Sequence, residues 1–119
     1  AVTEGGELYN VDGNGNRVAA FCFGPKKVIV VVGANKIVKD LNEAEQRVKT
    51  IAAPLNCKRL GIETPCFKTG ECISMKMADR EMCDGCLNEG RICSTYVISG
   101  YQRIKDRIKV IICKESLGY

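Results

Sequence analysis

Apolar residues in this chain follow three patterns, and each predicts a different kind of element. Residues 27–33 (KVIVVVG) are a continuous β-branched run with no polar alternation. Such a run suits a strand buried on both faces, as in a parallel sheet. From Asp40 the pattern changes to a helical period, with Leu41, Ala44, Val48, Ile51, Ala52 and Leu55 on one face. Asp40 can cap this helix and Glu43 follows three residues later, as in a capping box. Pro54 predicts that the regular helix ends near Ala53, with a short second piece over residues 55–60. Residues 63–93 have little apolar content and many turn pairs (Thr64-Pro65, Thr69-Gly70, Asp84-Gly85, Glu89-Gly90), and read as loop.

The flanks add strands. Residues 7–11 and 18–23 are short apolar-leaning runs around Asp12-Gly13-Asn14-Gly15-Asn16, which predicts a β-hairpin. The Asp-x-Asn-x-Asn spacing is not a calcium loop, because Arg17 stands where glycine is needed and Phe23 where glutamate is needed. Asp12, Asn16 and Arg17 are therefore expected to be turn and surface residues. Residues 95–98 and 107–113 read as further strands. Arg103, Lys105, Arg107 and Lys109 recur at every second position, the expected solvated face of a strand.

These elements predict an α/β fold with an open, mostly parallel sheet, an N-terminal β-hairpin and a Cys-rich loop. The chain is expected to be a single domain over residues 1–119, part of a longer one, with the loop at 63–93 inside it. One amphipathic helix covers one face of the buried strand. An upstream segment, a second subunit or the Cys-rich loop is expected to cover the other.

Composition narrows the function. At 119 residues the chain is one domain at most, and 45% hydrophobic with 27% charged is ordinary for a globular protein. The net charge of +4 comes from scattered basic residues with no interleaved aromatics, so no nucleic acid partner is expected. The longest apolar run is far too short for a membrane span, and residues 1–10 lack the features of a secretory signal. A reducing cytoplasm is the default expectation.

Against that background stand eight cysteines and no histidine. Five cysteines crowd the loop as Cys66-x5-Cys72-x10-Cys83-x2-Cys86-x6-Cys93. Two thiolates from the tight Cys83–Cys86 turn can reach one metal, with Cys66 and Cys93 arriving from flanking segments. Four of the five would complete a tetrahedral zinc site or a cubane iron–sulfur cluster (4Fe–4S), and spacing does not choose between them. Disulfides are disfavoured by the expected compartment and by the presence of core-forming elements. A thioredoxin-like Cys-x2-Cys should open a helix after a strand, and this one lies in a Gly- and Asp-containing loop. Met75, Met77 and Met82 are expected to fill gaps or cover the site. Cys22, Cys57 and Cys113 are expected to pack in the core. A second candidate site is Gly33-Ala34-Asn35-Lys36, at the carboxyl end of the buried strand where open α/β sheets bind ligands. There Lys36 could pair with a carboxylate or phosphate and Asn35 could orient it.

The chain resembles the C-terminal half of the lactate-utilisation (LUD) domain family. The matching stretches are GNRV at 15–18, KVIVVVGANKIV at 27–38, AAPLN at 52–56, Thr64-Pro65-Cys66 with Thr69-Gly70, Arg91-Ile92-Cys93, and Leu117-Gly118-Tyr119. The resemblance implies a fold of the NagB/RpiA/CoA-transferase group. It also implies a role in lactate oxidation alongside other protein subunits of an iron–sulfur-containing complex. Short members have Cys-x5-Cys-x2-Cys-x6-Cys. This chain departs by an insertion at 73–82 and one extra cysteine, so Cys72 and Cys83 compete for one position. The leading expectation is a cluster-binding protein serving electron transfer or assembly. The alternatives are a zinc-binding scaffold domain, alone or as a homo-oligomer, and an enzyme fragment of CoA-transferase or sugar-phosphate type acting at Asn35 and Lys36. No acid–base pair supports the last: Glu4, Glu7 and Asp12 are placed by no motif.

Overall fold

A computed structural model describes residues 1–119. In chain order the elements are β1 (Val2–Thr3), β2 (Leu8–Asp12), α1 (Asn16–Cys22), β3 (Val28–Gly33), β4 (Ile37–Val38), α2 (Leu41–Arg47), α3 (Ala53–Leu60), α4 (Pro65–Thr69), β5 (Thr95–Ser99) and β6 (Ile108–Cys113). They form two open sheets. The first has the order β4-β1-β2-β5, with β1 parallel to β4 and the other pairs antiparallel. The second is the parallel pair β3–β6, in register from Val28 opposite Ile108 to Gly33 opposite Cys113. The α/β class therefore stands, with the parallel pairing of residues 28–33 as expected.

The N-terminal hairpin lies one strand earlier than the pattern predicts. It is β1–β2, with Val2 opposite Leu8. Of residues 18–23, expected as its second strand, 18–22 belong instead to helix α1 and Phe23 follows its end. The reason is local. The Asp12 carboxylate accepts the backbone N–H groups of Arg17 (2.9 Å) and Val18 (3.3 Å), satisfying donors that a helix start leaves open. Two alanines in the run favour helix, and Val18 supplies its buried contact.

Pro54 does not stop the helix. Residues 41–60 form one continuous rod, in which a π-turn over Val48–Ala52 separates α2 from α3. A proline ring collides with the carbonyl four residues back in a regular helix. The wider turn just before Pro54 is the usual way to relieve that collision. Asp40 caps α2 as expected, accepting from the Glu43 N–H at 2.9 Å.

Only 20 of 119 residues are buried, so the interior divides into two small clusters rather than one core. Val2, Leu8 and Val32 form the first, between the two sheets, with Phe21, Val30 and Ile108 against it. Tyr9, Val38 and Ala44 form the second, beneath α2. The outer face of the parallel pair stays open: Ile29, Val31 and Ile111 are each at least half exposed. The Cys-rich loop, one of the three expected covers, does not lie over it.

Arg107 also departs from expectation. It is not on a solvated strand face but buried, and residues 103–107 are not strand. Its guanidinium donates to the carbonyls of Pro25 (2.9 Å), Phe21 (2.8 Å) and Ala20 (2.7 Å). These are carbonyls at the end of α1 and in the following turn, so one side chain ties the α1–β3 connection to the start of β6.

Candidate thiol centre and adjoining cavity

The Cys-rich segment is fastened to the helical rod by a buried charge. Lys49, on the π-turn, is 3% exposed. Its ammonium lies 3.0 Å from the Glu45 carboxylate and donates to Ser74 Oγ (3.0 Å) and the Glu81 carbonyl (3.2 Å). The Lys49 carbonyl accepts the Cys72 N–H at 2.8 Å, and Arg80 reaches the same Glu45 carboxylate. Ser74 and Arg80 belong to the inserted stretch, so the insertion is anchored at both levels.

Each thiol has its own support. Thr64 caps α4, its hydroxyl accepting from the Phe67 N–H, and Pro65 occupies the first turn. This sets Cys66 inside, with its sulfur 3.2 Å from Thr64 Oγ1 and 3.8 Å from Cys57 Sγ. Cys72 Sγ lies 3.3 Å from Ser74 Oγ. Arg91 donates to the carbonyls of Cys83 (2.6 Å), Cys86 (3.3 Å) and Cys93 (2.9 Å), which fixes the path of the second half of the loop.

Cys66, Cys72, Cys86 and Cys93 line one small enclosed cavity of about 10 Å³, closed by Val48 and Ala53 of the rod. Cys66, Cys72 and Cys86 are buried, and Cys93 is half-buried. Cys83 is exposed and does not line that cavity. No three Cys, Asp or Glu side chains converge closely enough to grip a single metal ion. Burial pushes the Cys66 thiol above its ordinary range; the Thr64 hydrogen bond opposes this, and the neighbouring Cys57 and Cys86 add to it.

Two tyrosines approach the same region. Tyr9 and Tyr96 meet edge to face, with centroids 6.4 Å apart. Both hydroxyls are buried; that of Tyr9 has no hydrogen-bond partner, and that of Tyr96 lies beside Arg91 and Cys93. Burial, then the neighbouring Cys93, pushes Tyr96 up to about 12. Tyr9 is raised for the same first reason, with Tyr96, Glu45, Cys83 and Cys93 among its neighbours. Buried hydroxyls without an acceptor are uncommon in native proteins.

The Gly33–Lys36 segment is split in its roles. The Asn35 amide is engaged by the chain's last residues: it donates to the Gly118 carbonyl (3.1 Å) and accepts the Leu117 N–H (3.1 Å). Gly33 is needed for this crossing, since a Cβ there would run into Asn35 Oδ1 and the Leu117 nitrogen. Lys36 instead faces a larger cavity of about 820 Å³ between the two sheets and the rod. Arg17, expected to be a surface turn residue, lines that cavity as well. The two cavities share a wall made of Val48, Ala53 and Cys93.

The sequence pattern did not single out Lys49, Tyr9 or Tyr96, and it marked Arg91 only as part of Arg91-Ile92-Cys93. Glu45 and Lys49 at helical i,i+4 spacing were a legible pair, but their burial was not. The three outlying cysteines divide. Cys57 is fully buried as expected, whereas Cys22 is exposed at the end of α1 and Cys113 is half-buried on the open strand β6. Among the methionines, Met82 packs against the second core cluster, Met75 is half-buried and Met77 is half exposed.

The profile of the LUD domain family matches residues 1–113. The chain belongs to this family. Membership associates the LUD domain described here with lactate utilisation. Neither the curated proteins nor the solved structures give a match. No helix of this LUD domain is long and apolar enough to cross a membrane.

Proposed function

We propose that this LUD domain binds a 4Fe–4S cluster through Cys66, Cys72, Cys86 and Cys93, and serves electron transfer or assembly in a lactate-oxidising system with partner subunits. The observation that carries this reading is the single cavity lined by those four thiols, with Cys83 outside it. The same division makes Cys83 the spare cysteine.

Three features bear on an inorganic centre held by these thiols. Zinc bound at about 2.3 Å to each sulfur requires thiolates roughly 3.8 Å apart around one point. These thiols line one cavity without converging on a point, and its volume of about 10 Å³ is that of about one water molecule, so they would have to draw together for zinc or part for a cluster. The buried Tyr9 hydroxyl has no acceptor and Tyr96 lies beside Cys93, and thiolate sulfur, in a cluster or around zinc, would accept from them. Arg91 places a cation on the loop that carries the ligands, and a cation offsets part of the negative charge of four thiolates.

A bound cluster would supply one-electron redox chemistry. The protein's own part is to hold four sulfurs by α4, the rod and the Arg91 brace, and to exclude water with Val48 and Ala53. A cytoplasmic, reducing setting suits free thiols of this kind.

Purification without oxygen tests the reading. Brown protein with visible absorption, bleached by dithionite and matched by iron and sulfide on analysis, is the expected result. Colourless protein containing zinc supports the scaffold alternative. Colourless, metal-free protein with eight titratable thiols removes both.

A further inference from the structure

Basic residues scattered along the sequence are gathered unevenly by the fold. Arg107 ties the connection after α1 to the connection between β5 and β6. Its guanidinium donates to the carbonyls of Ala20, Phe21 and Pro25, its N–H donates to the Ile104 carbonyl at 3.2 Å, and its carbonyl accepts the Val28 N–H at 2.7 Å. Residues 21–27 and 97–107 thereby stand side by side around an open groove of about 600 Å³. These two stretches hold Lys26, Lys27, Arg103, Lys105 and Arg107 against Asp106 alone. They take five of the chain's 18 basic residues and one of its 14 acidic ones, which leaves the two signs balanced everywhere else. The whole net charge of +4 thus resides at one corner.

The same corner exposes apolar surface. Phe23 and Tyr101 are 88% and 91% exposed, and they are the chain's only exposed aromatic residues. Ile104, close by in the second stretch, is 61% exposed. Both aromatics line the groove and no carboxylate does. Arg107 is engaged by its carbonyls, whereas Lys26, Lys27, Arg103 and Lys105 are exposed and form no ion pair. Exposed apolar tips grouped in this way mark a contact surface, and the residues around them select the partner. Lysine is depleted from the cores of protein interfaces, and an isoleucine offers nothing to a nucleic acid backbone. Aromatic rings and an aliphatic tip set among long cationic side chains suit the headgroup level of a negatively charged bilayer, where rings lie at the polar–apolar boundary and cations meet lipid phosphates.

We propose that this corner docks the domain on an anionic membrane surface, with Phe23, Tyr101 and Ile104 entering the headgroup layer and Lys26, Lys27, Arg103 and Lys105 contacting the acidic lipids. Attachment of this kind is peripheral and needs no membrane-crossing helix. It uses none of the cysteines proposed as ligands, so it holds whether or not the thiols carry a cluster.

Flotation of the whole protein with lipid vesicles tests this, comparing phosphatidylcholine alone with phosphatidylcholine carrying about one quarter phosphatidylglycerol. Binding to the anionic vesicles should be stronger by about tenfold or more and should fall severalfold in molar salt. Three paired variants, Lys26→Gln with Lys27→Gln, Arg103→Gln with Lys105→Gln, and Phe23→Ser with Tyr101→Ser, should each weaken it about tenfold. Their melting temperatures should match the parent's, since all six side chains are exposed. With pairs on both loops, a variant that fails to fold leaves the others to decide. The proposal is overturned if neither vesicle is bound, if both are bound equally, or if the folded variants bind as the parent does. It is also overturned if single-stranded DNA or polyglutamate is bound through these residues while vesicles are not, which makes a nucleic acid or an acidic protein segment the occupant.

Discussion

Lys49 and Glu45 stand one turn apart on the helical rod with their charged atoms 3.0 Å apart, and both are almost completely removed from water. The pair is more than a surface i,i+4 bridge, because Lys49 also holds Ser74 and Glu81 of the Cys-rich segment. Taking a charge out of water without its partner is far costlier than the pair's own net worth.

Lys49→Met therefore leaves Glu45 buried with only Arg80 nearby. We expect a loss of about 3 kcal/mol in urea denaturation, with earlier proteolysis in the stretch that carries Ser74. Adding Glu45→Gln to Lys49→Met should restore more than half of the loss. A double variant as weak as the single one would show that the tether to Ser74, rather than the stranded carboxylate, dominates.

Asp12 gives a pH-dependent prediction. Burial is the largest single influence and works against its charged form, but the N–H groups of Val18 and Arg17, with the Arg17 charge, together prevail and hold the carboxyl below its ordinary value of 3.8. A depressed folded value means the contribution is present above pH 3.8 and is lost as pH falls through the lower folded value. Helix α1 should thus loosen in acid, seen as faster amide exchange at Arg17 and Val18. Asp12→Asn should remove that acid dependence, and Asp12→Ala should cost about 1 kcal/mol at neutral pH.

The cysteines separate by position. Cys83→Ser should leave iron content and visible absorption close to the parent's, because this thiol is exposed and outside the shared cavity. Cys86→Ser and Cys72→Ser should each lower bound iron severalfold. Equal losses for Cys83 and Cys72 would refute the division between them.

Arg107 should be among the most sensitive basic residues. Arg107→Met leaves three carbonyls at the end of α1 and in the turn after it without their donor, an expected loss of about 3 kcal/mol. Arg107→Lys keeps the charge but not the fork, and should recover only part of it. Thermal melting of the two variants against the parent decides the matter.

Elements with a single strong local cause were legible in the sequence. The β-branched run at 28–33 could hardly be anything but strand, and Asp40 with Glu43 announced the rod. Failures came where a distant or subtle contact decided. α1 looked like a strand because its helical start depends on Asp12 reaching forward to Arg17 and Val18. Pro54 looked like a stop because the π-turn that accommodates it leaves no trace in residue spacing. Arg107 looked solvated because its acceptors lie more than 80 residues earlier. At the site, the pattern named the five loop cysteines, but only packing separated Cys83 from the rest. The basic residues that line the larger cavity come from α1, the turn at Lys36, the rod and the Cys-rich loop, so no local pattern could assemble them.

The Arg91 brace has a bearing on how this loop could change over time. One guanidinium spans the backbone oxygens of Cys83, Cys86 and Cys93, and its flat head rests against Gly85, where a Cβ would come within 2.9 Å of it. The spatial relation among those three cysteines is therefore set downstream of residue 82 and owes little to the number of residues preceding it. A change of length within 73–82 would thus disturb the tether of Ser74 to Lys49 before it disturbed the arrangement of those three residues.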